Sequence, residues 1–188
     1  MGWGYFLSSF LIKMSARLKH FDYSSPGDYF ITIIAKNRVH YFGQIIAPPL
    51  ESLEVSESYM KLNPIGLRAH HCLLELKNHF RNAIIDEFIV MPDHVHFILS
   101  IKKPNTTDAT TQKEFRSNQF SRPVAGSVSV IVQQFKAEVK RWCGKNGFEA
   151  FQWQPRFYDR LIRDYREFAN VKKYIQDNPK KWGKKNSK

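Results

Sequence analysis

Two histidines stand one residue apart in Met91-Pro92-Asp93-His94-Val95-His96-Phe97. Apolar runs at 84–90 and 97–101 flank this stretch, which reads as two strands joined by a tight Pro-Asp turn. Residues two apart on a strand share a face, so His94 and His96 would stand side by side with Val95 and Phe97 on the reverse. Two neutral imidazoles held in parallel can share one metal ion. Alone, a His-x-His pair is more often structural than ligating. A second pair lies far downstream. Tyr174 and Asn178 are four apart, hence neighbours if the segment is helical. Phe168, Val171 and Ile175 would form the apolar stripe of that helix. At roughly 100° per residue, Tyr174 and Asn178 share one flank within about 40°, and Tyr165 lies about 140° from Asn178. If Asn178 reaches an ion held by the histidines, Tyr174 arrives with it and Tyr165 does not. Tyr158, ahead of the helix, stays a second candidate.

An ion bound by two imidazoles and one amide oxygen keeps open positions for substrate oxygens. That is the chemistry of Mg²⁺ or Mn²⁺ acting as a Lewis acid on a phosphodiester. A tyrosine beside it could attack the phosphorus and form a phosphotyrosine. Its phenol, with a reference pKa of about 10, is a weak nucleophile near neutral pH. The ion and a basic neighbour such as Lys172 or Lys173 would help it ionise. The covalent bond conserves the energy of the broken phosphodiester, so the strand could be rejoined without ATP.

The elements that would carry these pairs are legible. Residues 29–35 are β-branched and aromatic, a central strand, and Asn37-Arg38 breaks it. Residues 42–46 and 59–62 read as short strands around a proline-containing loop. Asn63-Pro64 opens a helix whose core side is expected at Leu67, Leu74 and Phe80. Residues 102–123 read as a surface loop. Val128, Ile131, Val132, Phe135, Val139 and Trp142 recur at helical spacing, with Gln133, Lys136, Lys140 and Arg141 on the other face, and Gly144 and Gly147 close that helix. Residues 151–163 read as an extended segment plus a strand. Asp164 caps the final helix with Glu167 three residues on, and Pro179 stops it near Asn178. The order strand, helix, strand, strand, helix, strand, helix fits an α+β, ferredoxin-like (split βαβ) antiparallel sheet with helices on one face.

At 188 residues with a formal charge of +12, the chain is long enough for one core and basic enough to point to a polyanion, nucleic acid before membrane. Candidate backbone contacts are Arg17, Lys19, Lys136, Lys140, Arg156, Arg160, Arg163, Lys172 and Lys173. Trp153, Phe157 and Tyr158 could stack on bases, with packing at least as ready an explanation. Cys72 and Cys143 have no CxxC neighbour, so a disulfide framework or zinc finger is not arguable and a reducing, cytoplasmic compartment is the expectation. Residues 1–16 read as an appendage, with Met14 an alternative start. They are too short to span a bilayer and lack a basic n-region. The domain is expected over 17–182 and a basic tail over 183–188.

Several ordered motifs bring a family into view. Arg17-Leu-Lys…Asp22-Tyr23-Ser24…Pro26-Gly27…Tyr29-Phe30, the stretch 91–96, Gly126-Ser127…Val132…Gln134-Phe135-Lys136, Trp153-Gln154…Tyr158-Asp159…Ile162-Arg163-Asp164 and Tyr174-Ile175…Asn178-Pro179 together resemble the REP-associated tyrosine transposases. These are IS200/IS605-like single-tyrosine HUH transposases, and the resemblance covers about residues 17–182. It implies an HUH endonuclease fold with a C-terminal tyrosine helix, a divalent metal, single-stranded or hairpin DNA, and a 5′-phosphotyrosine intermediate with a free 3′-OH. By position, His94 and His96 match the metal-binding pair, Asn178 the third ligand and Tyr174 the nucleophile. Asp93 stands where Asn is common, and Arg160 where His is frequent. Neither touches the inferred catalytic set.

The remaining histidines, His20, His40, His70, His71 and His79, read as surface or core residues. Two other functions compete. One is a DNA-hairpin-binding host regulator without catalysis. The other is a metallo-phosphodiesterase that uses water. Monomer and homodimer are equally open, as is whether the tyrosine helix serves its own chain.

Overall fold

A computed structural model describes residues 25–47, 57–102, 124 and 126–185. The segment 1–16, Arg17, Lys19, nearly all of the 102–123 loop and residues 186–188 therefore lie outside the described residues. Strand β1 (Gly27–Ile34) ends in a turn at Asn37 and Arg38, both with positive φ (57° and 52°). Strands β2 (Gly43–Ile46) and β3 (Tyr59–Leu62) pair as a separate two-stranded sheet. Helix α1 (Pro64–His79) follows, with the Asn63 side chain accepting the Gly66 N–H and Pro64 in its first turn. Then come β4 (Ala83–Val90), β5 (His94–Ile101), α2 (Val128–Lys145), β6 (Tyr158–Ile162), α3 (Tyr165–Gln176) and α4 (Asn178–Lys185).

The main sheet runs β4-β5-β1-β6, with every neighbouring pair antiparallel. Leaving out the inserted β2–β3 sheet, this is the expected βαββαβ plan. Alternation along the central strands divides the core in two. Tyr29, Ile31 and Ile33 of β1 and Val95, Phe97 and Leu99 of β5 pack under α1 and α2. Phe30, Ile98 and Ile162 face the opposite way and meet Val171 and Ile175 of α3. A fully buried side chain of this size contributes roughly 1.5–3 kcal/mol. The two long helices cover one face, and the tyrosine helix lies on the other.

Helix α2 buries Val128, Ile131, Val132, Phe135 and Val139 as its periodicity predicts, with Cys143 completing the stripe and Trp142 only half-buried. For α1 the expected core side is wrong. Leu67 and Leu74 are 48% and 49% exposed, and the buried face is Ile65, Gly66, Ala69, Cys72, Leu73 and Leu76. Small residues let α1 approach closely, and a Cβ at Gly66 would run into the Phe42 carbonyl. Phe80 packs at the edge of the core as expected.

Asp164 caps α3 by accepting the Glu167 N–H, while the Glu167 carboxylate accepts the Arg163 N–H. Pro179 does not end helical structure. Asp177 closes α3 with a helical φ and ψ (−80°, −2°), and the chain restarts at once as α4. The region read as the beginning of a basic tail is therefore helical through Lys185. Helix α4 rests on β2 and β3, and Lys180 Nζ meets Glu57 Oε1 at 2.5 Å.

Candidate active site

β5 carries His94 and His96 on the face that receives α3, opposite Val95 and Phe97. Their ring centroids lie 4.4 Å apart. Both are buried, and each Nδ1 has a partner. His94 Nδ1 lies 2.5 Å from Asp93 Oδ1, and Arg38 Nη1 donates to Asp93 Oδ2 at 3.1 Å. His96 Nδ1 lies 2.8 Å from the Thr32 hydroxyl, its directly opposed residue on β1. With both Nδ1 atoms engaged, the Nε2 lone pairs are the ones left to ligate, the arrangement in which an outer carboxylate or hydroxyl orients a ligating imidazole. Burial, then the His94 charge, holds the His96 pKa well below 6.5, so its ring stays neutral near neutral pH. Burial raises Asp93, but hydrogen bonds and charges from His94 and Arg38 outweigh it and hold the carboxyl below its ordinary value.

α3 lies across these histidines. The Tyr174 ring is 5.6 Å from the His96 ring and edge-on to Phe30 at 6.0 Å. Asn178, 7% exposed, donates its amide nitrogen to the Tyr174 carbonyl at 3.1 Å, leaving the amide oxygen as its acceptor end. The four residues singled out from the sequence thus share one side of the sheet. Burial raises the Tyr174 phenol above its ordinary pKa, partly offset by the Asn178 side chain.

Among the described residues no three His, Cys, Asp or Glu side chains are grouped to hold an ion. The donor set that fits a divalent ion here is two imidazole nitrogens and an amide oxygen, leaving room for substrate oxygens. Tyr165, 87% exposed, stands apart at the start of α3. Tyr158 is opposite Thr32 on β6, which puts it on the histidine face but two strands from His96.

The sequence reading missed several neighbours of this site. Asp93, placed outside the site, is the direct partner of His94. Thr32 carried no signal, since only the strand register puts it beside His96. Lys181 Nζ sits 5.3 Å from the Tyr174 ring centroid, and seven-residue spacing would have revealed it had the helix been read through Pro179. Trp182 packs between His94 and His40, at 5.6 and 5.8 Å.

The expected backbone contacts fare unevenly. Lys136 Nζ donates to the carbonyls of Gln154 (2.8 Å) and Arg156 (3.0 Å), and Lys140 Nζ to those of Glu149 (3.0 Å) and Phe151 (2.6 Å). These lysines brace the segment ahead of β6. Lys172 is tied to Asp86 at 3.0 Å, a hydrogen bond that raises its pKa, and so is not a free base for Tyr174. Arg160 pairs with Glu167 on α3, so this departure also bears on the tyrosine helix. Arg156, Arg163 and Lys173 are exposed. Among the described residues no helix is long and apolar enough to cross a membrane.

No family model matches the chain. A Haemophilus influenzae protein of unassigned function is 34% identical over 171 residues, 90% of this chain and 89% of that one. A second protein of that organism, described as a candidate REP-associated tyrosine transposase, is 29% identical over 94 residues, 50% of this chain and 48% of its own length. A solved REP-associated tyrosine transposase bound to a REP hairpin superposes with a TM-score of 0.55 at 18% identity, over 90% of this chain and 75% of that one, a likeness of fold. With its ordered motifs, that fold and these relatives, the chain is similar to the REP-associated tyrosine transposases.

Proposed function

We propose that the protein is a metal-dependent DNA strand transferase of the transposase kind, acting on single-stranded or hairpin DNA through a phosphotyrosine. The observation that carries this is the meeting of Tyr174 with His96, 5.6 Å between rings, although 78 residues separate them in sequence (174 minus 96). Tyr174 Oη attacks the scissile phosphorus. The Oη–P bond forms as the P–O3′ bond breaks, the phenol proton passes to solvent, and the departing oxygen takes up a proton as a free 3′-OH. His94, His96 and Asn178 would hold Mg²⁺ or Mn²⁺, which when bound supplies charge stabilisation to the phosphoryl oxygens. Asp93 and Thr32 fix the imidazoles. The Lys181 ammonium lies over the Tyr174 ring, 5.3 Å from its centroid.

Incubation with single-stranded hairpin oligonucleotides and Mg²⁺ or Mn²⁺ tests this. The expected product is a covalent protein–DNA adduct on a denaturing gel, absent for Tyr174→Phe. An adduct that persists in that variant makes another residue the nucleophile, with Tyr158 first to examine. Cleavage without attached protein, surviving in Tyr174→Phe, makes water the nucleophile. The competing reading is a hairpin-binding regulator without catalysis. Tight metal-independent binding with no cleavage across many hairpins is its signature.

A further inference from the structure

Beside the histidines, on the β6 side of the sheet, lies a cavity of about 200 Å³ that the proposed chemistry does not use. Its walls include Ile34, Gln154, Arg156, Phe157 and Tyr158. Strand register ties it to the candidate site. Ile34 is opposite His94, and Tyr158 is in one cross-strand row with Thr32 and His96. Two strand spacings, about 10 Å, separate Tyr158 from His96 in that row. An extended nucleotide next to a phosphate held at the histidines spans that distance.

The wall is built rather than incidental. Lys136 Nζ holds the carbonyls of Gln154 and Arg156, while the Lys136 carbonyl accepts the Trp153 indole N–H at 3.1 Å. Gln154 N–H donates to the Ile34 carbonyl at 2.8 Å. Between these ties Arg156 takes a φ of +67°, a conformation costly for a side chain with a Cβ and found where surrounding contacts over-determine it. Its guanidinium is exposed and makes no ion pair among the described residues. The cavity is smaller than the roughly 300–1,000 Å³ that encloses a drug-sized ligand, and a single flat heterocycle is the size of group it admits. Phe157 packs against the core, which leaves the Tyr158 ring on the histidine face beside the Arg156 guanidinium. A phenol ring and a guanidinium, on a chain of charge +12, are groups on which a base stacks.

We propose that this cavity is a nucleobase subsite, receiving the base of a single-stranded nucleotide that flanks the scissile phosphate, with Arg156 and Tyr158 stacking on it. This deepens the strand-transferase reading and rests on it for the position of the phosphate.

The test needs no cleavage, so failure of the subsite and absence of the covalent adduct are read separately. The full chain in EDTA is photocrosslinked to a single-stranded oligothymidylate dodecamer containing 4-thiothymidine. Affinity for the unmodified dodecamer is measured by anisotropy over a salt series, for wild type and Arg156→Gln. The expected results are crosslinks in the peptide holding Phe157 and Tyr158, about tenfold weaker binding by Arg156→Gln, the scale of one base stack, and an unchanged salt slope. Crosslinks confined to other peptides overturn the subsite, and so does wild-type affinity in Arg156→Gln. A slope reduced by about one makes Arg156 a phosphate contact and overturns it as well. A melting curve for Arg156→Gln matching wild type shows that any loss is local.

Discussion

His96 is useful as a ligand only while neutral and correctly turned. Burial secures the first, and the Thr32 hydroxyl on its Nδ1 secures the second. Outer partners of this kind are worth about 10–100-fold in metal affinity. Thr32→Val keeps the shape and removes the hydroxyl, so Mn²⁺ affinity measured by titration calorimetry is expected to drop by about that factor. An unchanged affinity would remove Thr32 from any role in the site. At this scale the sequence exposed the candidate residues and hid their supports. His94, His96, Tyr174 and Asn178 stand in recognisable spacings, whereas Thr32 reaches His96 only through strand pairing and Arg38 reaches Asp93 only from a left-handed turn. Asp93 was visible, but its significance lay in where its carboxylate points.

Among the elements, periodicity identified α2 and failed on the face of α1. Leu67 and Leu74 sit a heptad apart and imitate a core stripe, yet α1 packs on small residues plus Ile65, Leu73 and Leu76. Adjacent leucines give a direct check. Leu73→Ala is expected to destabilise the fold by about 2–5 kcal/mol and Leu74→Ala by no more than about 0.5, compared by urea denaturation. Equal losses would mean that α1 is rotated from the orientation described. Pro179 misled for a related reason. Proline stops a helix from its interior but suits the first turn of a new one, and α4 begins beside it. That restart buries Asn178, carries Lys181 over the Tyr174 ring and brings Trp182 back to His94.

For the molecule as a whole, a surplus of twelve positive charges predicts DNA binding dominated by counterion release. If six to ten phosphates are contacted, affinity for a single-stranded hairpin falls about 10³–10⁵-fold between 50 and 200 mM salt, as measured by anisotropy. A flat salt response would leave the charge without a nucleic-acid role. Lys136, Lys140 and Lys172 contribute little to such a slope, being committed to carbonyls and carboxylates of the chain itself.

The sequence by itself determined the element order as far as α3, the antiparallel plan, the pairing of imidazoles on one strand face and the shared flank of Tyr174 and Asn178. All of these follow from local periodicity, the period of two on a strand and 3.6 on a helix. Only the tertiary structure decided which lysines are free, what orients each histidine, and that α3 lies across the sheet face opposite α1 and α2. Those depend on register and packing between segments distant in sequence. No local spacing encodes the row Tyr158, Thr32, His96 that connects the histidines to the neighbouring cavity.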